Sequence, residues 1–346
     1  MVSDHSRNGE LDARGSAEQL ADGEGVNMHI GITGSRGFIG SYLLDYVLSL
    51  GADRVRILQR TVGAPEGAFD DRRIEIVKGC LESREACMAF VSDLDVIYYL
   101  AHRNSPVDSD DNQAQDAALN IIPLLEFICA VRDCGKRPHI VYFSSGGAIY
   151  GPEPNRIPVS EATECRPTCS YGIQKLAAEH YLRLAAERRH LTAIALRVGN
   201  AYGTLLPQTR IQGLIGVAVN NAVHGKPVRV FGNMENVRDY VHLADVCAMV
   251  DLAARSRRPW DVINVGTGRG HSVAQVLRLI EDCNGSPIQV EFDAGPGDAL
   301  TDWAVLDITK AKREFGWTPK MDLRAGIQEM LANYRSNLAR TTAVVQ

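Results

Sequence analysis

Two side chains near the middle of the chain have the types and the spacing needed for proton transfer. Tyr171 and Lys175 form a Tyr-x-x-x-Lys motif at the start of a predicted helix, and a separation of four residues places both on one helix face. A free phenol, with a pKa of about 10, is a poor base at neutral pH. A neighbouring ammonium is expected to stabilise the phenolate and lower its pKa, so that the pair could remove the proton of an alcohol.

The motif alone occurs by chance in many helices, and its position in the sequence gives it weight. It follows the predicted strand HIVYFSSGG, whose end would deliver Ser144 and Ser145 beside the same reacting group. We therefore assign Tyr171 and Lys175 as catalytic residues and Ser145 as the candidate hydroxyl that helps to orient a substrate.

A glycine-rich turn near the start of the chain is suited to holding a pyrophosphate. Gly31, Gly34 and Gly37, in HIGITGSRGFIG, lie between the first predicted strand and the first predicted helix. Side chains there would block close approach of the backbone to phosphates, and the start of the helix offers unpaired N–H groups. Three glycines can also form an ordinary turn, but this one opens a series of βαβ units and predicts a dinucleotide site. The positive charge of an oxidised nicotinamide would add to that of Lys175.

The end of the second predicted strand bears on which dinucleotide binds. NAD sites usually place an acidic residue there, whereas NADP sites avoid the carboxylate and supply a cation. Here VRILQR ends in Gln59 and Arg60, and Arg36 in the glycine turn could point to the same place. Two guanidinium groups and no acid favour a 2′-phosphate, and hence NADP over NAD. The alternative is two solvated arginines, with Gln59 bonding the ribose.

Alternating strands and helices are expected to position these residues. Apolar strands alternate with helical stretches from Met28 to Val198, which predicts an α/β fold: a doubly wound parallel Rossmann sheet with helices on both faces. We expect this domain at 28–200, with 239–265 returning to it. A smaller C-terminal substrate-binding lobe is expected from 201–238 and 266–346. Residues 1–27 are polar and aperiodic, and we expect a disordered leader there.

Composition excludes several other classes. The chain has 346 residues, of which 45% are hydrophobic, and a net charge of −5. This acidic balance predicts no nucleic-acid partner, and no apolar run was found that is long enough to predict a membrane span. The cysteines are scattered, without a second Cys/His pair at zinc-site spacing, so we expect free thiols, no metal and a cytoplasmic location.

Longer motifs extend from Met28 to about Asn337: GITGSRGFIG, YYLAH, Asn120, SSGGAIYG, YGIQK, LRVGNAYG, VRDYVHLADV, INVGTGRGHSV and LDITKAKREFGWTP. In these the sequence resembles the extended short-chain dehydrogenase/reductase family, specifically nucleotide-sugar epimerases of the UDP-glucose 4-epimerase kind. The resemblance implies a nucleotide-diphosphate sugar as substrate. It also implies a homodimer formed through two long helices, here near Asn112–Cys134 and Tyr171–Arg189.

The resemblance also implies roles for single residues. Tyr171 would be the acid and base, and Lys175 would also hold the nicotinamide ribose. Asn200 would bond the substrate pyrophosphate or sugar, and Arg238, in a loop facing the cleft, would clamp the diphosphate. An ion pair of Arg238 with Asp239 or Asp245 is the structural alternative. The remaining expected cofactor contacts are Phe38, Ile39, Leu81, Leu100 and Ala101.

Some positions depart from the family pattern. Counting back four residues from Tyr150 places Gly146 where the family has its catalytic Ser or Thr. The hydroxyl that helps to orient the sugar must then come from Ser145 or from water, or the site has no such hydroxyl. Gly147 and Ala148 replace the Asp-Glu pair of the 4,6-dehydratases, which argues against a dehydratase. No Arg or Lys occurs in Phe292–Asp307 to supply a second diphosphate ligand. His102 is interpreted as a packed or solvated histidine.

The leading functional interpretation is an NAD(P)-dependent epimerase that inverts the C4 hydroxyl of a nucleotide hexose through a transient 4-keto intermediate. An NADPH-dependent reductase of a 4-keto nucleotide sugar is the alternative, and Arg36 and Arg60 favour it. A third interpretation is a dinucleotide-binding regulator without chemistry. Gly146 favours the regulator, whereas the intact Tyr171 and Lys175 argue against it.

Overall fold

A computed structural model of the chain describes residues 28–60, 71–103, 109–205, 213–293 and 301–344. The predicted leader at 1–27 lies outside the described residues. Within them the strands are β1 (Ile30–Thr33), β2 (Val55–Gln59), β3 (Ile74–Lys78), β4 (Val96–Tyr99), β5 (His139–Ser145), β6 (Thr192–Val198), β7 (Asn200–Tyr202), β8 (Val228–Phe231), β9 (Val237–His242), β10 (Trp260–Val265), β11 (Gly270–Ser272), β12 (Val290–Asp293) and β13 (Trp303–Ala304). The helices are α1 (Phe38–Ser49), α2 (Arg84–Val91), α3 (Gln113–Asp133), α4 (Ser170–Glu187), α5 (Leu214–Val223), α6 (Leu243–Ser256), α7 (Val273–Asn284), α8 (Thr309–Phe315) and α9 (Leu323–Val344).

The central sheet has seven parallel strands in the order β10-β6-β5-β4-β1-β2-β3. Helices lie in most of the described connections between consecutive strands of this sheet, because the chain must cross back to the amino ends of the strands before the next parallel strand begins. The order reverses direction between β1 and β4, and ligands of such sheets bind at this switch point, outside the carboxyl ends of the strands. The predicted doubly wound sheet is therefore confirmed.

Both faces of the sheet are covered by apolar helices. On one face, side chains of α1 and α6 such as Leu43 and Val246 pack with strand residues such as Ile32. On the other face, α2, α3 and α4 contribute residues such as Phe90, Phe127 and Leu182. Strands buried on both sides must be apolar throughout, which is why they read as continuous hydrophobic runs in the sequence.

The C-terminal part has its own core and its own small sheets. Helices α5, α7 and α9 enclose residues such as Val219, Ile280 and Ile327. The segment VRDYVH, expected as a loop around Arg238, is instead strand β9. It pairs with β7, β11 and β13, and this pairing satisfies the backbone groups that a loop would have left to solvent.

Candidate active site

Two cavities open at the carboxyl edge of the central sheet. The larger, of about 550 Å³, is bordered by the glycine turn after β1 and by the residues that follow β2 and β4. The smaller, of about 250 Å³, is lined by Ser145, Tyr171 and Asn200 together with residues of the C-terminal lobe. These dimensions and positions suit an elongated ligand in the first cavity and a compact one in the second.

The glycine turn leaves no room for side chains at three positions. Gly34 has a φ of +73°, and a Cβ there would lie 2.9 Å from the backbone nitrogen of Ala101. Gly37 donates its N–H to the carbonyl oxygen of Gly34 at 2.9 Å. A Cβ on Gly40, within α1, would lie 2.1 Å from that same oxygen. The turn is thus a close-packed backbone cradle at the N-terminus of α1, which fits a pyrophosphate.

The predicted assignment of Gly31 to this cradle is corrected by the structure. Gly31 lies inside β1, and a Cβ there would meet Leu94 and Phe90 in the core below the sheet. Gly40 is instead the third glycine of the cradle, with Gly34 and Gly37. Glycines recur at every third residue from 31 to 40, and the spacing alone could not show which three surround the turn.

Most of the other predicted cofactor contacts border one cavity or the other. Phe38 and Ile39 line the smaller cavity. The larger cavity is lined by the exposed Arg36 and Arg60 and by Leu81, Leu100 and Ala101. Gln59 also lines it, and its Oε1 is buried without a hydrogen-bond partner among the described residues. A buried acceptor without a donor is costly, and a ribose hydroxyl would supply the missing donor. The cavity therefore fits a dinucleotide.

Tyr171 and Lys175 lie together on one face of α4, as their spacing predicts. The hydroxyl of Ser145 lies beside the Tyr171 phenol, close enough to act on its pKa, and both residues line the smaller cavity. Lys175 Nζ lies 5.6 Å from the centroid of the Tyr171 ring and donates to the carbonyl oxygen of Phe143 at 2.9 Å. Strand β5 thus positions both residues that lie beside the phenol. Ser145 is the last residue of the strand, and the carbonyl oxygen of Phe143 within it accepts from Lys175.

The hydroxyl that this end of β5 places in the cavity with Tyr171 belongs to Ser145 and not to a residue at position 146. A Cβ on Gly146 would lie 2.6 Å from the side chain of Leu306 and 3.0 Å from the carbonyl oxygen of Arg197. Packing therefore requires glycine at 146, while the neighbouring serine reaches the phenol.

Residues before α3 hold the N-terminus of α4. This helix has Cys169 at its N-cap, which makes no side-chain capping bond. Instead, Asp110 Oδ1 accepts the N–H of Ser170 at 2.8 Å, and Ser109 Oγ accepts the N–H of Tyr171 at 3.1 Å. These side chains satisfy backbone donors that the start of a helix leaves unpaired, and they fix the position of Tyr171.

Burial dominates the ionisation of the pair. It raises the pKa of Tyr171 to about 12, although the nearby Ser145 hydroxyl acts in the lowering direction. Burial lowers the pKa of Lys175 to about 7, against the raising effect of Glu179. The sequence predicted a lowered phenol pKa, and for the protein without ligands this is wrong. Desolvation of the buried phenolate is the largest influence on Tyr171, and it outweighs the lowering effect of Ser145.

The two predicted substrate residues occupy different places. Asn200 begins β7 and lines the smaller cavity with Tyr171. Arg238 lies in β9, opposite His271 of the antiparallel β11, and does not line that cavity. Its expected alternative partners are engaged elsewhere: Asp239 accepts from Thr267, and Asp245 accepts backbone N–H groups of the segment before α9. The ion-pair alternative is therefore not observed.

His102 lies in the site, although no partner for it was visible from the sequence. Its ring contacts that of Tyr171 edge-on, with the centroids 4.9 Å apart and the planes at 87°. It also borders the larger cavity. His102 follows β4 shortly after the strand ends at the switch point of the sheet. This position was the signal that could have identified it as a site residue. Among the described residues, no group of three or more His, Cys, Asp or Glu side chains could hold a metal ion.

A doubly wound sheet with a glycine cradle and a Tyr–Lys pair on the helix after β5 defines the class of extended short-chain dehydrogenases/reductases. The model of the NAD dependent epimerase/dehydratase family matches residues 30–266, and the chain belongs to this family. Among its relatives, the UDP-glucose 4-epimerase of Mycolicibacterium smegmatis is 29% identical over 313 residues, covering 88% of this chain and 98% of the relative. The dTDP-4-dehydro-6-deoxyglucose reductase of Escherichia coli is 27% identical over 243 residues, with 70% and 76% covered.

Solved structures show the same architecture. The UDP-glucose 4-epimerase of Thermotoga maritima, determined with UDP-glucose, matches with a TM-score of 0.81 and 29% identity, covering 90% of this chain and 100% of that one. The UDP-glucose 4-epimerase of Thermus thermophilus, determined as a complex with NAD, matches with a TM-score of 0.80 and 28% identity, covering 89% and 99%. The similarity thus extends over the Rossmann domain and the C-terminal lobe.

Proposed function

We propose that this protein is an NAD(P)-dependent nucleotide-sugar 4-epimerase that acts through a transient 4-keto intermediate. The observation that carries the proposal is the placement of the Ser145 hydroxyl beside the Tyr171 phenol, in a cavity lined by Asn200 and beside a cleft that fits a dinucleotide. The relatives and structural neighbours named as UDP-glucose 4-epimerases support the same reaction.

Each residue of the site has a distinct part in this chemistry. When bound, the oxidised dinucleotide supplies a hydride acceptor and a positive charge. Tyr171 takes the proton of the C4 hydroxyl while the C4–H bond is broken, and it returns the proton when the C4 hydroxyl forms again with inverted configuration. Ser145 lies beside the phenol and orients the sugar, and Lys175, on the same helix face, is placed to hold the nicotinamide ribose.

The substrate is proposed to be held by its nucleotide while its sugar turns. Asn200 is placed to bond the pyrophosphate or the sugar, since it lines the same cavity as Tyr171. Arg238 is proposed to clamp the diphosphate, and its side chain makes one hydrogen bond within the described residues, to the carbonyl oxygen of Val237. Its remaining N–H groups suit two adjacent phosphates. Inversion requires both faces of the 4-keto sugar to meet the same hydride donor, so a fixed nucleotide and a mobile sugar are needed.

For the cofactor we propose NADP in preference to NAD. Arg36 and Arg60 are exposed at the edge of the larger cavity, and β2 ends in Gln59 without a carboxylate. A guanidinium can hold a 2′-phosphate, whereas a carboxylate would repel it. Comparing the dissociation constants of NADPH and NADH tests this preference. Arg60→Ala is expected to weaken NADPH binding about tenfold and leave NADH binding unchanged, and equal losses for both would contradict it.

The reaction itself is tested with purified protein, NAD or NADP, and UDP-glucose or UDP-galactose. Interconversion of the two sugars without net change in absorbance at 340 nm is expected. The purified protein is also denatured, and the released dinucleotide is identified by its mass. This shows which cofactor the protein retains.

The second candidate is an NADPH-dependent reductase of a 4-keto nucleotide sugar. Arg36 and Arg60 support it, as does the reductase among the relatives. It predicts stoichiometric consumption of NADPH with a keto-sugar and no conversion of UDP-glucose. Cofactor binding without turnover of either substrate would instead favour a regulator.

We propose further that the protein is a cytoplasmic homodimer without a membrane or nucleic-acid partner. By length and composition, α3 is apolar enough to cross a membrane, but Leu124 and Phe127 pack it against the sheet. Its other face exposes Ile122, and α4 exposes Ile173 and Leu184. Paired α3 and α4 helices of two copies would bury this apolar surface. The mass in solution by light scattering tests the dimer, and Leu184→Glu is expected to give monomers.

A further inference from the structure

The backbone around His102 is fixed from both sides. Before it, the N–H groups of Leu100 and Ala101 donate to Oγ1 of Thr33, at 3.2 and 3.3 Å. After it, Arg103 donates its N–H to Asn120 Oδ1 at 2.7 Å, and Asn120 Nδ2 donates back to the carbonyl oxygen of Arg103 at 3.1 Å. These hydrogen bonds fix the backbone from which the imidazole of His102 projects.

The imidazole of His102 lies where the two cavities meet. It borders the larger cavity, while the Tyr171 ring that it contacts edge-on lines the smaller one. Edge-to-face contacts of this kind restrict the orientation of both rings. His102 therefore limits where the phenol can move.

The polar edge of this imidazole lacks a partner within the protein. His102 Nε2 is buried and has no hydrogen-bond partner among the described residues. Burial, and to a smaller extent the charge of Lys175, lowers the pKa of His102 to about 2, so the ring is neutral at physiological pH. Buried ring nitrogens normally have partners, and because His102 borders the larger cavity, a ligand bound there can supply one.

We propose that His102 is a positioning residue that hydrogen-bonds the nicotinamide end of the bound dinucleotide through Nε2 and at the same time holds the ring of Tyr171. A neutral imidazole suits a hydroxyl or carboxamide group, whereas a phosphate would demand a cation. The proposal rests on the proposed function, because that function places a nicotinamide nucleoside beside Tyr171.

Three variants separate the polar role of His102 from its packing role. His102→Phe keeps a ring against Tyr171 and removes the nitrogen, His102→Gln keeps a neutral polar group, and His102→Ala removes both. We expect His102→Phe to weaken binding of the reduced dinucleotide, followed by its fluorescence, about five- to tenfold, as for one lost hydrogen bond. His102→Gln should regain most of that affinity, and His102→Ala should lower kcat further than His102→Phe because the phenol is no longer held.

Two controls make the outcome specific. ADP lacks the nicotinamide nucleoside, and its affinity should be the same in His102→Phe and in the unaltered protein. His180→Phe changes an exposed histidine on α4 and should alter neither affinity nor melting temperature. Undiminished affinity of His102→Phe for the reduced dinucleotide, or equal losses for it and for ADP, overturns the role of His102. The proposed function fails separately, if the unaltered protein binds neither NADH nor NADPH.

Discussion

Glu179 and Arg197 form a buried ion pair in which Nη2 of Arg197 lies 2.7 Å from Oε2 of Glu179. The other carboxylate oxygen accepts the hydroxyl of Ser144 at 2.5 Å, and Arg197 Nη1 donates to the hydroxyl of Tyr150 at 2.9 Å. Glu179 lies one helical turn beyond Lys175, so the pair ties the catalytic helix to the ends of β5 and β6. It anchors the helix without touching the cavity that holds the phenol.

Removing one partner of this pair should destabilise the fold strongly. Glu179→Ala leaves the guanidinium of Arg197 buried without a counter-charge, and we expect the free energy of unfolding to fall by about 3–5 kcal/mol in urea titrations. Glu187→Ala, at an exposed position on the same helix, is the control and should cost less than about 0.5 kcal/mol. A loss below about 1 kcal/mol for Glu179→Ala would show that the pair is not an anchor.

Tyr171→Phe should remove the chemistry and spare the binding sites. Without the phenol oxygen no protein group in this position can take the substrate proton, so kcat should fall at least about 100-fold. Cofactor affinity and melting temperature should stay close to those of the unaltered protein, and Tyr181→Phe, half-exposed on the same helix, should be fully active. Normal turnover by Tyr171→Phe would remove the proposed mechanism.

Ser145→Ala should move the pH dependence of the reaction in a defined direction. The Ser145 hydroxyl acts to lower the pKa of Tyr171, so its removal raises that pKa. The limb of the kcat profile that rises as the phenol ionises should then shift to higher pH, with a fall in kcat of about tenfold at neutral pH. Ser145→Thr keeps the hydroxyl and should restore the original limb. A profile of Ser145→Ala that coincides with the unaltered one would contradict the assigned effect of Ser145 on the phenol.

Lys175 should make the ligand-free protein more stable as pH rises above neutrality. Burial lowers its pKa in the folded state to about 7 from its ordinary value of 10.5, so between these pH values the unfolded chain binds more protons. Stability therefore increases with pH across this window, and below pH 7 the full cost of the buried charge remains. Lys175→Met should be the more stable protein at pH 6, with the difference in melting temperature shrinking towards pH 10. A difference independent of pH would argue against a lowered Lys175 pKa.

Alanine at Gly40 and at Gly31 should have different effects. In Gly40→Ala the new methyl group meets the carbonyl oxygen of Gly34, so the cradle must shift, and dinucleotide affinity should fall at least about tenfold. In Gly31→Ala the methyl group meets Leu94 and Phe90 on the core side, so the melting temperature should fall while the folded protein keeps its affinity. Calorimetric titration and thermal melts of both variants check this. If Gly31→Ala lost dinucleotide affinity and Gly40→Ala kept it, the first assignment of the cradle, with Gly31 in place of Gly40, would be correct.

The amino-acid sequence by itself determined the central sheet and the pairing of Tyr171 with Lys175. Apolar runs of strand length alternating with helices admit few arrangements, and a spacing of four residues places two side chains on one face of any helix. Both follow from local periodicity, which does not depend on distant contacts.

Tertiary structure decided the features that depend on what surrounds a residue. Repeated three-residue spacing left the glycine cradle ambiguous until packing excluded Gly31 and included Gly40. The direction of the Tyr171 pKa depends on how much water the fold removes, which no spacing reveals. His102 approaches Tyr171 from a distant part of the chain, because β4 and α4 are brought together by the sheet and by α3. Burial and long-range contact are properties of the packed chain, and local sequence patterns predict them only weakly.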